Sequence, residues 1–102
     1  RAVPRHPLNV YTGGADRGLR RVLVRADTRV TRIEIRLADG DLVSLAPAAT
    51  WPDPPLALFA ALLPPTAHLA SITALDAAGR NLEENDLTRH EAAWRRFTGG
   101  TQ

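Results

Sequence analysis

Side chains that could carry out acid–base or nucleophilic chemistry are few in this sequence and lie far apart. The only histidines are His6, His68 and His90. Cys is absent, and the only serines, Ser44 and Ser71, lie outside any Gly-x-Ser-x-Gly turn of the kind used for acyl transfer. His90 and Glu91 are adjacent on a predicted helix, where neighbouring side chains diverge. We therefore expect structural or surface histidines and predict a non-catalytic protein.

The sequence also predicts neither a metal site nor a cofactor. Without Cys, a metal would need His and carboxylate ligands. The acidic residues Glu83, Glu84 and Asp86 could bind a cation, but they directly precede a predicted helix and are more typical of residues that support its N-terminus. The glycines at positions 13, 14 and 18 lack the Lys and the following helix of a phosphate-binding loop.

The basic residues form one pattern that could bind an anion. Four arginines alternate with apolar residues on two predicted strands and are expected to share one outward face: Arg21, Arg25, Arg32 and Arg36. This face could bind nucleic acid or another acidic polymer. It could equally be a solvated sheet face on which Glu34 pairs across strands, and the lack of interleaved aromatic residues favours this second interpretation.

Length and charge limit the classes of function. A chain of 102 residues fits one domain with its own core. All 13 basic residues are Arg, but with 11 acidic residues the net charge is only +2, so nucleic acid is not a favoured partner. No apolar run reaches the ~18 residues of a membrane span. The chain begins at Arg1 rather than Met, so we expect a processed product or a piece of a longer protein.

The elements that must position these residues are mainly strands. The stretch from Leu19 to Ala46 alternates polar and apolar residues, which is typical of strands with one buried face. Asp39-Gly40 lies between two such runs and predicts a hairpin. A second hairpin is predicted around residues 76–80, where Gly79 suits a positive φ angle.

Two proline-rich regions frame the rest of the predicted sheet. The N-terminal segment 1–7 is expected to be extended and to lead into an edge strand near Leu8–Thr12. Residues 47–55 are predicted to be a loop in which Trp51 covers one end of the core. Residues 56–63 are ambiguous, because Leu and Ala favour a helix while the short length between prolines favours a buried strand. We predict a strand.

A helix is predicted near the C-terminus, at about residues 86–97, with Asn85 or Asp86 as its cap. Leu87, Trp94 and Phe97 fall on one stripe of this helix. The stripe can dock on the sheets as part of one core, which is the commoner arrangement, or contact another domain or a second copy. With Trp51, these three residues form the predicted interaction surface.

The motifs together resemble a known family. The segment Val30–Gly40, the apolar segment Leu56–Pro64 and the segment Ala74–Arg80 resemble a small immunoglobulin-like β-sandwich domain of uncharacterised proteins from high-GC Gram-positive bacteria. The resemblance covers about residues 20–82 and implies an immunoglobulin-like fold without catalytic residues. Members are often secreted or membrane-tethered, which implies an extracytoplasmic location. The proline-rich loop and the C-terminal helix depart from the family pattern.

These observations predict one mainly β domain over residues 1–102. It should contain an immunoglobulin-like antiparallel β-sandwich of six or seven short strands at residues 8–83, a helix at 85–97 and a tail at 98–102. The predicted function is a non-catalytic accessory or protein-interaction module of a larger bacterial protein. Its partner would be another protein or a second copy, bound through the C-terminal helix. The alternative is polyanion binding through the Arg-rich face.

Overall fold

A computed structural model describes residues 8–89 and 91–92 of the chain. Within them the backbone forms eight strands, joined mostly by short turns. The strands are β1 (Asn9–Gly14), β2 (Arg20–Ala26), β3 (Arg32–Leu37), β4 (Leu42–Leu45), β5 (Ala49–Pro52), β6 (Pro55–Leu63), β7 (Leu69–Leu75) and β8 (Asn81–Asp86). A single 3₁₀ turn, Asp16–Gly18, lies between β1 and β2.

The strands form two antiparallel sheets, which confirms the predicted mainly β architecture. The first sheet has the order β1-β2-β6-β5, and the second has the order β4-β3-β7-β8. The described residues contain eight strands rather than six or seven. One reason is that part of the predicted proline-rich loop is a strand, because Ala49–Pro52 pairs with residues 55–58 of β6. Proline is compatible with this position because β5 is an edge strand.

Both predicted hairpins are present. Between β3 and β4, Gly40 has a φ angle of 98° and its N–H donates to the Leu37 carbonyl oxygen at 3.0 Å. Between β7 and β8, Gly79 has a φ angle of 82° and the Asp76 N–H donates to the Arg80 carbonyl oxygen at 3.0 Å. Glycine adopts such φ angles without a steric clash, so both turns follow directly from the local sequence.

Strand β6 resolves the ambiguity at residues 56–63 in favour of a strand. It lies inside the first sheet and pairs with β2 on one side and β5 on the other. Ala57 and Phe59 are buried, whereas Ala60 and Leu62 are exposed. Hydrogen bonding to two neighbouring strands therefore outweighs the helix propensity of Leu and Ala.

The core lies between the two sheets, as in a β-sandwich. The first sheet contributes Val22, Val24, Ala26, Ala57, Phe59 and Leu63; the second contributes Ile33, Ile35, Leu69, Ile72 and Ala74. Val30, before β3, and Leu87, after β8, complete this buried cluster. Because inward and outward positions alternate along the central strands β2, β3 and β6, each sheet keeps a second face that points away from the core.

The predicted C-terminal helix is not supported within the described residues, whose elements include no α-helix. Residues 81–86 continue the second sheet as β8, so Asn85 lies in a strand rather than at a cap. The Asp86 carboxylate accepts a hydrogen bond from the Thr88 N–H at 2.6 Å, and the Glu91 N–H donates to the Leu87 carbonyl oxygen at 2.9 Å. The predicted remainder of the helix, the N-terminal segment 1–7 and the tail 98–102 lie outside the described residues.

Candidate functional site

The outer side of the first sheet is a nearly continuous apolar surface, here named the apolar face. Directly opposed residues of antiparallel strands share one side of a sheet. The register opposes Tyr11 to Leu23 and Leu23 to Ala60, so these three residues form one row across the sheet. Because side chains alternate along β6, Leu56, Leu58 and Leu62 point to the same side as Ala60. Trp51 of β5 is opposite Leu56 and joins them. The apolar face consists of Tyr11, Leu23, Trp51, Leu56, Leu58, Ala60 and Leu62.

Its large side chains are unusually accessible for apolar groups. Leu62 is 60% exposed, Tyr11 is 52% exposed and Trp51 is 47% exposed. The outer side of the second sheet is different, because the equivalent row there runs from Ser44 through Glu34 and Thr73 to Glu84. The leucines that lie between Leu62, Tyr11 and Trp51 are half-buried, so apolar side chains extend across the apolar face. A contiguous exposed apolar area is typical of a surface that contacts another molecule.

Two arginines stand among the apolar residues of this face. Arg21 is opposite Leu62, and Arg25 is opposite Leu58, so both guanidinium groups project on the same side as the leucines. Both arginines are exposed. No ion pair within residues 8–89 and 91–92 includes either of them. The face therefore combines apolar area with uncompensated positive charge.

A groove lies at one end of the apolar face. The loop at residues 15–19 stands beside Leu23, Ala60 and Leu62 and encloses with them a concave space of about 690 Å³. Asp16 and Arg17 of this loop also line the groove. Arg17 has a φ angle of 64°, in the left-handed region that non-glycine residues seldom adopt. Residues held in such conformations are concentrated at binding sites.

Trp51 does not cover the core as the sequence predicted. It is opposite Leu56 on the outer side of the first sheet, and the side chain is 47% exposed. The reason is the unexpected strand β5, whose pairing with β6 turns Trp51 away from the second sheet. Trp51 nevertheless remains available for an interaction, at the far end of the apolar face.

The C-terminal part of the predicted interaction surface is not supported. Leu87 is 1% exposed and belongs to the core, so it is not available to a partner. Its burial corresponds to the docking alternative that the sequence left open, in which the stripe packs on the sheets. Trp94 and Phe97 lie outside the described residues.

The four arginines of the predicted anion-binding face do not share a face. Arg21 and Arg25 lie on β2 in the first sheet, whereas Arg32 and Arg36 lie on β3 in the second. Because all four point away from the core, the two pairs are on opposite sides of the molecule. Arg32 also donates a hydrogen bond to the Ser44 hydroxyl at 2.8 Å. The sequence placed them together because β2 and β3 are consecutive strands, but these strands do not pair.

A buried polar cluster, which sequence reasoning missed, connects β2, β7 and the segment after β8. Arg20 is fully buried, and its Nη1 atom donates to Glu91 Oε1 at 2.9 Å and to the Ala67 carbonyl oxygen at 3.0 Å. Glu91 Oε1 also accepts the Leu69 N–H at 2.7 Å. Glu91 Oε2 lies 3.0 Å from His68 Nδ1. Glu91 thus holds three distant parts of the chain in contact.

The Glu91 carboxyl group is kept ionised by its partners. Burial acts to raise its pKa, but the hydrogen bonds from His68, the Leu69 N–H and Arg20, with the positive charge of Arg20, hold the pKa below its usual range. An ionised carboxylate only accepts hydrogen bonds, so the hydrogen bond is donated by the His68 Nδ1–H group and accepted by Glu91 Oε2. Within residues 8–89 and 91–92, the other hydrogen-bond donors to the Glu91 carboxylate are Arg20 and the Leu69 N–H, an arrangement typical of a structural contact.

One of these residues was within reach of sequence reasoning. Arg20 is in phase with Val22 and Val24, so the strand alternation itself directs its side chain into the core. Its partner Glu91 is 71 residues away, and no local pattern joins the two. His68 was predicted at the surface, and its side chain is 47% exposed while it contacts Glu91. His6 and His90 lie outside the described residues.

Two further properties concern the part of the chain that the structure describes. Within it, no three His, Asp or Glu side chains come together in a way that could hold a metal ion. No helix in the same residues has the length and hydropathy that a membrane crossing needs.

Comparison of the chain with protein-family models, with curated proteins and with solved structures gives no match in any of the three. The residues and their geometry are therefore the basis for assigning a function.

Proposed function

We propose that this chain is a non-catalytic protein-interaction module of a larger protein and that it binds its partner through the apolar face. The observation that carries the proposal is the exposure of Leu62, Tyr11 and Trp51 on one side of one sheet. A folded domain gains free energy by removing such a surface from water, about 25 cal/mol per Å² of apolar area. A partner that covers the face supplies this gain.

We also propose that the fold is immunoglobulin-like, as the resemblance to a bacterial β-sandwich domain implies. The strand orders support this assignment, because β1-β2-β6-β5 and β4-β3-β7-β8 correspond to the order A-B-E-D in one immunoglobulin sheet and to C′-C-F-G in the other. Immunoglobulin-like domains commonly bind other proteins, but a fold alone does not assign a function.

Binding of a polyanion, the alternative suggested by the arginine pattern, has less support. With the arginines divided between two sheets, each side of the molecule has only one pair of them. On the second sheet, Glu34 and Glu84 lie on the same outer side as Arg32 and Arg36. Nucleic-acid affinity depends on many phosphate contacts made from one surface, so this separation disfavours the alternative.

Site-specific photo-crosslinking tests the proposed interaction. A benzophenone amino acid would replace Leu62 on the apolar face, and in a matched control it would replace Arg36, an exposed residue on the outer side of the second sheet. In cells that make the full-length protein, we expect a discrete protein adduct with the Leu62 variant and none with the Arg36 variant. Adducts of equal yield at both positions, or at neither, would contradict the proposal.

A further inference from the structure

We infer that the partner segment bound by the apolar face combines aliphatic side chains with Asp or Glu carboxylates. This inference rests on the proposed function and concerns the chemistry of the partner. It follows from three properties of the face: the sign of its charges, their spacing and the concave shape of one end.

The first property is the complete absence of acidic residues from the strands that form the face. β1, β2, β5 and β6 contain three charged residues, and all three are Arg. Arg20 is buried, which leaves Arg21 and Arg25 as the exposed charges on these strands, and the loop beside the groove adds one charge of each sign, Asp16 and Arg17. A partner that covered Arg21 and Arg25 with apolar groups alone would remove two cations from water without compensation, at a considerable cost in free energy. Carboxylates on the partner offset this cost.

The second property is the spacing of the two charges. Arg21 and Arg25 are four residues apart on one strand, which places them about 13 Å apart, and Leu23 lies between them on the same side. The face thus presents a cation, an apolar residue and a second cation in line. A complementary segment has carboxylates about 13 Å apart with aliphatic side chains between them, whether it is extended or helical.

The third property is the groove beside the loop at residues 15–19, which favours a protein segment over a lipid surface. A concave space of about 690 Å³ with Leu23, Ala60 and Leu62 among its lining residues receives a protruding side chain. A bilayer is instead bound by apolar groups that protrude from the protein into it. A second copy is disfavoured as well, because a symmetric contact between two apolar faces would bring Arg21 and Arg25 of both copies together, and the groove adds one carboxylate, Asp16, from each copy.

A random-peptide library displayed on phage and panned against the full chain tests this inference. We expect the retained peptides to be enriched in Asp or Glu together with Leu, Ile or Phe. The double variant Arg21→Glu/Arg25→Glu should bind a retained peptide about tenfold or more weakly. The control Arg32→Glu/Arg36→Glu changes the net charge equally on the opposite side and should bind within about twofold of the unchanged chain.

Several outcomes would overturn the inference. They are a library that yields no binder, retained peptides without acidic enrichment, or peptides that bind equally to the unchanged chain and to Arg21→Glu/Arg25→Glu. Vesicles containing phosphatidylglycerol that bind the unchanged chain but not this variant would assign the face to an anionic membrane. Sedimentation that shows a dimer abolished by Leu62→Ser would assign it to a second copy.

These outcomes are separate from a failure of the proposed function. If the Leu62 photo-crosslink forms equally well in the Arg21→Glu/Arg25→Glu background, the apolar face binds a protein but the acidic character of the partner is wrong. If no adduct forms at Leu62 in either background, the interaction itself is wrong.

Discussion

At the scale of single residues, Glu91 joins parts of the chain that are far apart in sequence. It accepts hydrogen bonds from Arg20, His68 and the Leu69 N–H while its side chain is almost fully buried. Replacing a buried ion pair by well-packed apolar residues is often neutral, but removing one member leaves the other charge without its partner. Arg20 and Glu91 should therefore tolerate joint replacement better than single replacement.

The pH dependence of stability should report the ionisation of Glu91. Because its pKa in the folded state is below the unfolded value of 4.5, Glu91 stabilises the fold above that pH, and the contribution is lost as the pH falls through the folded pKa. Near pH 7, Glu91→Gln should lower the free energy of unfolding by about 3–5 kcal/mol, since it breaks the buried ion pair between Arg20 and Glu91. Urea titrations of both proteins from about pH 7 to pH 3 would measure this difference.

The difference between the two proteins should shrink toward acid pH. Some pH dependence should remain in Glu91→Gln, because hydrogen bonds from the Arg80 N–H to Asp76 and from the Thr88 hydroxyl to Asp86 lower the pKa values of those carboxyls. Parallel stability curves for the two proteins across this pH range would show that the pKa of Glu91 is the same in the folded and unfolded states.

At the scale of elements, the turns and the strand periodicity explain most of the architecture. The turn between β3 and β4 requires a φ angle of 98° at Gly40, and the turn between β7 and β8 requires 82° at Gly79. Strands β2 and β6 turn every second residue toward the core, so these two strands contribute both to the core and to the apolar face. Much of the apolar face is therefore formed by the outward-facing residues of strands whose inward-facing residues belong to the core.

Gly40→Ala should destabilise the protein by about 1–2 kcal/mol, because an L side chain at this positive φ angle clashes with the backbone. Apart from Gly40 itself and its two neighbours in the chain, no heavy atom lies within 4 Å of the position that the new Cβ would occupy, so crowding by other residues is not the cause. Gly13→Ala is a matched control, since that site is equally open and has no such φ angle. Thermal unfolding should separate the two variants, and equal melting temperatures would argue against the positive φ angle at Gly40.

At the scale of the whole molecule, the two sheets give it two dissimilar outer surfaces around one core. The outer side of the first sheet is mostly apolar with two arginines, and that of the second is mostly polar, with charges of both signs and one exposed leucine, Leu42. Such asymmetry is not needed for stability, since a β-sandwich requires only that the inner faces be apolar. This asymmetry fits the proposed interaction module, whose second sheet would face water while the apolar face contacts a partner.

Substitutions on opposite sides of β6 should therefore have very different effects. Phe59→Ala removes a fully buried side chain from between the sheets and should lower the free energy of unfolding by about 3–5 kcal/mol. Leu62→Ala, three residues further along the same strand, removes a side chain that is 60% exposed and should change it by less than about 0.5 kcal/mol. Urea unfolding would test both, and a large loss for Leu62→Ala would mean that the apolar face belongs to the fold rather than to a binding site.

Only part of the candidate site could be predicted from the sequence. Trp51 was predicted to take part in an interaction, but its place on the outer side of the first sheet depends on the pairing of β5 with β6. Tyr11, Leu23 and Leu62 belong to three strands, and no local pattern brings them together. The arginine pairs were assigned to one face because local alternation does not reveal that β2 and β3 enter different sheets.

The sequence by itself determined most of the strands, both glycine turns and the alternation that separates buried from outward residues, because each depends on residues only a few positions apart. Only the tertiary structure decided which strands are neighbours. That choice created the apolar face, separated Arg21 and Arg25 from Arg32 and Arg36, and joined Arg20 to Glu91 across 71 residues. Strand pairing is a contact between distant segments, and its free energy depends on the whole core rather than on any one stretch of chain.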